Sequence, residues 1–476
     1  MSKKRVLALV LSLLLSLAMV ACSSGTQGAN NATPTVSPST SPAATQASAT
    51  PSSAGADEKK LSGKVRLLVV GENMEDVTDP NTGAVLEGMD SLVKDFRAQY
   101  PDVTIEISAI PWTDWEPKVN TMLMNKQLDV LMLNEPKNWY DKGLIEPIDE
   151  YVKNDNLDTN QVWGDLYDSS FINYKGAHIG VPKFVSVKWL MYDKRIFDHY
   201  GVEYPKDNEP LESLMEKAAK MTGTDPVTNQ KTYGVYLHNA RLFTQYLADY
   251  FGQPNYTEWA TDNPKDIKWN LNSETMVNTL TFYQDFLKYC PPGVSMDKGF
   301  ENFYTDNNNI AMWINTNQLG PMASYYRNGE MDKISSYGMA VPAVGADGKN
   351  GFAASVWQWT LVKDGANKDA SWELMKYLSS PDMSLRLYQG RYSIPWGAGV
   401  ESKVKSDDPF MKTLLKCKSV ARSFEPAMLN PAINNEVYQI GLNLASAVEN
   451  GQTTDIKKLL DTYQDKLTNL TNSMAK

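Results

Sequence analysis

The sequence predicts an α/β protein of two domains, each a mostly parallel sheet flanked by helices. Three observations carry that reading. A chain of 476 residues is longer than one hydrophobic core ordinarily organises. Residues 64–133 run strand, helix, strand, helix, strand, the pattern of right-handed parallel crossovers. Residues 180–193 (GVPKFVSVKWLMYD) read as the place where one half ends and the next begins. There Pro182, with no N–H for a ladder, marks a strand start, and Val185, Val187 and Trp189 alternate with polar neighbours.

Taken in order, Lys3, Lys4 and Arg5 precede an apolar run from Val6 to Val20, too short to span a bilayer and matching a signal peptide. Residues 23–60 are Ser, Thr, Ala and Pro without hydrophobic periodicity, so they read as a disordered linker that buries too little to offset chain entropy. The apolar run in Lys64–Val70 is a strand entering a loop at Glu72-Asn73. Met89, Leu92, Val93, Phe96 and Tyr100 share a helical face that Pro101 ends, and Val103, Ile105 and Ile107 alternate as a second strand. Asp114 is placed to cap a helix bearing Trp115, Val119, Met122 and Leu123, and Leu128–Leu133 is a third, buried strand. Ligands of such sheets bind outside the carboxyl ends of the strands. That topology nominates Glu72, Asn73, Trp112, Asn134 and Glu135.

Further on, Leu211, Leu214, Met215 and Ala218 share a helical face. Ser273 caps a helix with Met276, Leu280, Tyr283 and Leu287 that stops at Pro291-Pro292. Residues 310–318 begin as a strand, 352–363 form another, and 369–378 are helical before Ser380-Pro381. Two closing helices carry the stripes Ile433, Val437, Ile440, Leu444, Val448 and Ile456, Leu459, Leu460, Tyr463, Leu467, Leu470.

Composition narrows the chemistry. A net charge of −10 argues against a nucleic-acid partner. The three histidines, His178, His199 and His238, have no metal-ligand spacing, and no nucleophile, phosphate-loop or zinc motif is present, so neither catalytic residues nor a metal or other cofactor is expected. Asp79–Gly83 and Asp306–Asn309 are explained by turn chemistry without calcium. Beyond Cys22, the only cysteines are Cys290 and Cys417, whose pairing the sequence leaves open. The unusual endowment is aromatic: 12 Trp and 24 Tyr. Sugars present apolar C–H faces and rings of hydroxyls, so their sites combine aromatic platforms with planar donors and acceptors.

Several segments resemble family 1 of the extracellular solute-binding proteins, the sugar-binding lipoproteins of ABC importers that include the maltose binders. Met19-Val-Ala-Cys22 resembles their lipobox, with Met19 where Leu is usual. The stretches FRAQYPDVTIEI, LDVLMLN and KGLIEPIDEYV resemble their first lobe, and Lys188–Phe197 resembles the segment just past their crossover. Similar likenesses hold for Ile310–Gln318, FAASVWQWTLVK and the helix pair around Gly451-Gln-Thr, so the resemblance covers residues 61–476.

What it implies is a two-lobed, type II periplasmic-binding-protein-like fold, with residues 61–180 and 360–398 in one lobe and 181–359 and 399–476 in the other. It adds Lys188, Asn315 and Gln318 as polar site candidates. It also adds Trp189 after the crossover, Trp357 and Trp359 on one face of the return strand, and Tyr438, thirteen residues before Gly451, where maltose binders carry a stacking tryptophan. Asn134-Glu135 stands where maltose binders have Asp-Arg, and Gln318 where they have Trp, so the sugar stays open. The implied protein is a monomer tethered to the outer face of the cell membrane through Cys22, the signal segment of residues 1–22 being cut just before that cysteine. It would bind an oligosaccharide and hand it to ABC permease subunits. A cell-surface polysaccharide hydrolase or lyase, whose two carboxylates need only lie about 5–10 Å apart, and a sensor subunit of a signalling system remain as alternatives.

Overall fold

The computed structural model describes residues 60–80, 82–83, 85–112, 115–134, 136–238, 246–253, 266–316, 320–404, 408–423, 431–452 and 455–474. The leader and linker, and the proposed cap at Asp114, lie outside them.

The strand Gly63–Val70 shows why the apolar runs are continuous. Leu67 and Val69 join one buried cluster and Leu68 joins another, so helices cover both faces of the sheet. Gly63–Val70 pairs in parallel with Val103–Ile110 on one side and Val130–Leu133 on the other. The next strand outward, the long Asn350–Val362, runs antiparallel to Val130–Leu133, and Val181–Ser186 and Ile145–Glu146 pair with it in turn. Ala421–Ser423 completes this first sheet. The second sheet has the order Gly223–Thr224, Lys231–Leu237, Ile310–Thr316, Trp189–Asp193, Tyr337–Ala340, with only Lys231–Leu237 and Ile310–Thr316 parallel. Both sheets are therefore mixed rather than mostly parallel, because the strands that carry the chain between halves enter in the opposite sense.

The sheets exchange chain between Ser186 and Trp189 and again between Ala340 and Asn350. The stretch expected to be one strand beginning the second half is thus two strands. Val181–Ser186 belongs to the first sheet, and the border expected at 180/181 is crossed only at Val187-Lys188. Ser186 and Lys188 between Val185, Val187 and Trp189 preserve the alternation through the switch, so periodicity alone shows no break there.

Local signals in the sequence account for the helix starts. Ser273 accepts from Met276 N at 3.1 Å, and Ser380 accepts from Met383 N at 3.2 Å with Pro381 in the first turn. The helix expected through Tyr100 is two short pieces, Met89–Leu92 and Lys94–Gln99, with Met89, Leu92, Val93 and Phe96 buried. The closing helices Pro431–Glu449 and Ile456–Met474 pack Ile433, Val437, Ile440, Leu444, Leu460 and Leu467 onto Met276 and Leu280 of Glu274–Leu287.

An ion pair between buried Asp129 and partly exposed Arg66 fastens the first sheet. Asp129 takes Arg66 Nε at 2.8 Å, Arg66 Nη2 at 2.6 Å and the backbone N–H groups of Arg66 and Ala366. Burial alone would raise this carboxyl, but those donors outweigh it and hold Asp129 below the usual carboxylate range. A two-stranded hairpin, Val77–Thr78 with Val85–Leu86, leaves the first half and lies against helix Gly320–Asn328, where Arg327 Nη2 donates to the Val85 carbonyl at 2.8 Å.

Candidate functional site

At the carboxyl end of Gly63–Val70 the chain turns at Gly71, whose φ of +67° suits glycine. A Cβ there would lie 1.9 Å from Trp112 Nε1, so the missing side chain is what lets the Trp112 indole lie against this backbone. Trp112 meets Trp357 edge to face, with ring centroids 5.1 Å apart and planes at 65°. Trp112 is 50 % exposed and Trp357 half-buried. The pair forms an open aromatic ledge at the strand ends.

The neighbouring charges are set by a bulge. Trp357 pairs with Phe184 and Gln358 with Pro182, which leaves Lys183 as the extra residue of its strand. Pro182 has no N–H to lose by this arrangement. The Lys183 ammonium bonds Glu72 Oε1 and lies 5.9 Å from the Trp359 ring centroid. On the other side, Arg391, ending helix Pro381–Arg391, donates Nη1 to Glu72 Oε2 at 2.7 Å and Nη2 to the Glu87 carbonyl at 2.9 Å. Burial pushes the Glu72 carboxyl up, but the charges of Lys183 and Arg391 overcome it and hold Glu72 down to about 2. Burial lowers the Lys183 ammonium, with Glu72 opposing the shift.

The other candidates fall into groups. Asn134 Oδ1 accepts from Ser355 Oγ at 2.7 Å near the ledge, and Asn73 is exposed. Lys188 lies between the two sheets; burial lowers its ammonium to about 7 against the pull of Asp297. Trp359 is 1 % exposed, beneath Lys183, and Trp189 is 2 % exposed, opposite Thr316 in the second sheet. Neither presents a face to a ligand. In both cases the sheet is covered where the sequence suggested a platform. Tyr438 is half-buried between the main core and the smaller cluster of the closing helices. Asn315 is in strand Ile310–Thr316, while Glu135 and Gln318 lie outside the described residues.

Sequence reasoning missed Lys183, Arg391 and Ser355. A lysine one residue after Pro182 in an otherwise apolar strand was the available signal for the first. Nothing local marks Arg391, which reaches Glu72 only through the fold.

Cys290 and Cys417 are buried free thiols, and burial pushes Cys290 well up. His178 bonds Asp149 at 2.6 Å and stacks on Tyr167, and His199 bonds Asp225 at 2.8 Å. Among the described residues no three His, Cys, Asp or Glu side chains form a metal-binding group, and no helix is long and apolar enough to cross a membrane. The Asp79 carboxylate is occupied by Thr82 N and Oγ1, both at 2.8 Å, as turn chemistry requires. A cavity of about 230 Å³ lies at the opposite end of the second sheet, around Arg195, Tyr325 and Tyr337. There Arg195 is satisfied by Asp193, Thr305 O and Tyr337 Oη.

Two mixed α/β sheets exchanging strands, with an aromatic ledge and fixed charges at the strand ends of one of them, define the class of two-lobed solute-binding proteins. Residues 79–384, well over half the chain, match the bacterial extracellular solute-binding protein family, and the chain belongs to it. The maltotriose-binding protein of Pyrococcus abyssi (strain GE5 / Orsay) is 27 % identical over 327 residues, 67 % of this chain and 63 % of that relative. The chain thus matches just under two thirds of that relative's length. Among solved structures, an ABC transporter solute-binding protein of Agrobacterium vitis S4 with bound D-mannitol and maltose-bound MalE3 of T. maritima each superpose with a TM-score of 0.67 at 20 % identity. In both cases the match covers 86 % of this chain and 99 % of the other. At that identity they establish the two-lobed fold. The family and these neighbours are binding proteins rather than enzymes, and the family is extracellular.

Proposed function

We propose that this protein captures a carbohydrate, an oligosaccharide, between its lobes and delivers it to the permease subunits of an ABC importer. The observation that carries this reading is the half-exposed Trp112–Trp357 ledge, flanked by the planar groups of Asn134 and Arg391. Rings of that kind match the C–H faces of a sugar and the planar groups match its hydroxyls. The maltotriose-binding relative and the mannitol- and maltose-bound neighbours favour the same ligand class. A sugar touching both lobes favours the closed arrangement by whatever it gains over touching one, and closure is what a permease would recognise.

The same proposal includes a lipid anchor at Cys22 after cleavage of the signal segment immediately before that cysteine, a linker of residues 23–60, a monomeric receptor and no catalysis. The lipobox-like Met19–Cys22 and the Ser/Thr/Pro composition support these parts. Calorimetry against a panel of neutral and charged oligosaccharides, with reducing ends assayed in parallel, tests it. Saturable binding without new reducing ends is expected. Steady product formation would make the protein an enzyme, and no binding across the panel would remove the sugar reading.

A further inference from the structure

Lys183, Glu72 and Arg391 carry two positive charges and one negative, on side chains only 5 %, 9 % and 23 % exposed. Among the described residues, Glu87, whose backbone carbonyl Arg391 also holds, is matched by Arg386, which grips its carboxylate at 3.1 and 3.0 Å. Asp76 is solvent-exposed and caps Gly88 N at 2.8 Å, so water screens it. A surplus positive charge held this far from solvent is unfavourable until an anion reaches it. Arg391 is the most open of the three; its Nη1 and Nη2 each hold one acceptor already, and the remaining N–H groups of the guanidinium suit an oxyanion. The ledge lies alongside: Trp112 rests on Gly71, the residue before Glu72, and Trp357 pairs with Phe184, the residue after Lys183.

We infer that the first lobe selects an anionic saccharide, its ring on the Trp112–Trp357 ledge and its charged substituent on Arg391 within the Lys183–Glu72–Arg391 triad. This rests on the carbohydrate-binding reading above. A ring carboxylate, as in a uronate, and a sulfate ester supply the same charge.

The test is calorimetry of the full chain with matched trisaccharides of the galacto, gluco and manno series in neutral, uronate and sulfated forms. Binding of a uronate or sulfated form about tenfold tighter than its neutral match is expected, and the better anion identifies the substituent. Raising the ionic strength shrinks that ratio in the unaltered protein. Arg391→Gln brings it to about one, and Arg391→Lys retains part of it, with thermal melting confirming that each variant is folded. Neutral and anionic forms binding equally, or a ratio unchanged in folded Arg391→Gln, would overturn the inference and leave carbohydrate capture standing. Failure of every trisaccharide to bind would overturn both.

Discussion

The two sheets use their aromatic residues in opposite ways. In the second, Tyr236, Phe300, Phe303 and Tyr304 crowd around Trp313, with Tyr337 against Phe303 and Tyr304, all but Phe300 buried, with centroid separations from 4.9 Å upward. In the first, the ends of the strands carry Trp112 and Trp357, which touch each other and still face outward. The same residue types at the same spacing therefore build a core in one place and a platform in the other. What separates them is whether helices cover the face on which they stand.

Replacing the covered rings should have the largest effect. Trp313→Ala and Trp359→Ala each remove a side chain about 1 % exposed and should cost about 3–5 kcal/mol of stability in denaturant unfolding. A loss below about 1 kcal/mol would break the contrast. Next, Asp129→Ala leaves Arg66 without its carboxylate, holding only the Lys126 carbonyl, and should cost about 2–3 kcal/mol. On the open ledge, Trp112→Ala should leave stability within about 0.5–1 kcal/mol of the parent while weakening sugar binding about tenfold by calorimetry. Gly71→Ala sharpens the same point: its Cβ would meet the Trp112 ring at 1.9–2.6 Å, so binding should fall as in Trp112→Ala although no ring is removed. Unchanged affinity in both would make the ledge an ordinary surface.

The smallest effect is on pH dependence. Glu72 and Asp129 are both held below their ordinary values. The stability they confer is complete above the normal carboxylate range and is lost as pH falls through it, for Glu72 down toward about 2. Thermal melts between pH 6 and 3 should show a falling midpoint, and Glu72→Gln should flatten that fall.

The order of elements could be read from periodicity because each strand and helix buries one face or both. The apolar run of Lys64–Val70 betrayed a strand and Ser273 marked a helix start, whereas Ser380-Pro381, read as the turn closing 369–378, also caps the next helix, Pro381–Arg391. Register could not be read. The bulge that turns Lys183 toward Glu72 depends on which residue of Asn350–Val362 faces Pro182, a pairing between positions far apart in sequence. The same limit explains the site. Trp357 and Trp359 share a face by alternation, yet one is open and the other lies under Lys183. Trp189 joined a strand whose every residue is buried. Topology placed Glu72 at the right strand end but could not show that Lys183 and Arg391 already hold its carboxylate.

Trp112 also gives the molecule a built-in optical reporter. Among the described residues it is the only tryptophan more than about a third exposed, so its emission should lie to the red of the buried indoles and respond first to a water-borne quencher. Whatever settles on that ring will shift the colour of the protein's own fluorescence, and a Trp112→Phe variant that keeps an aromatic face should lose most of that shift, retaining the part that Trp357 reports.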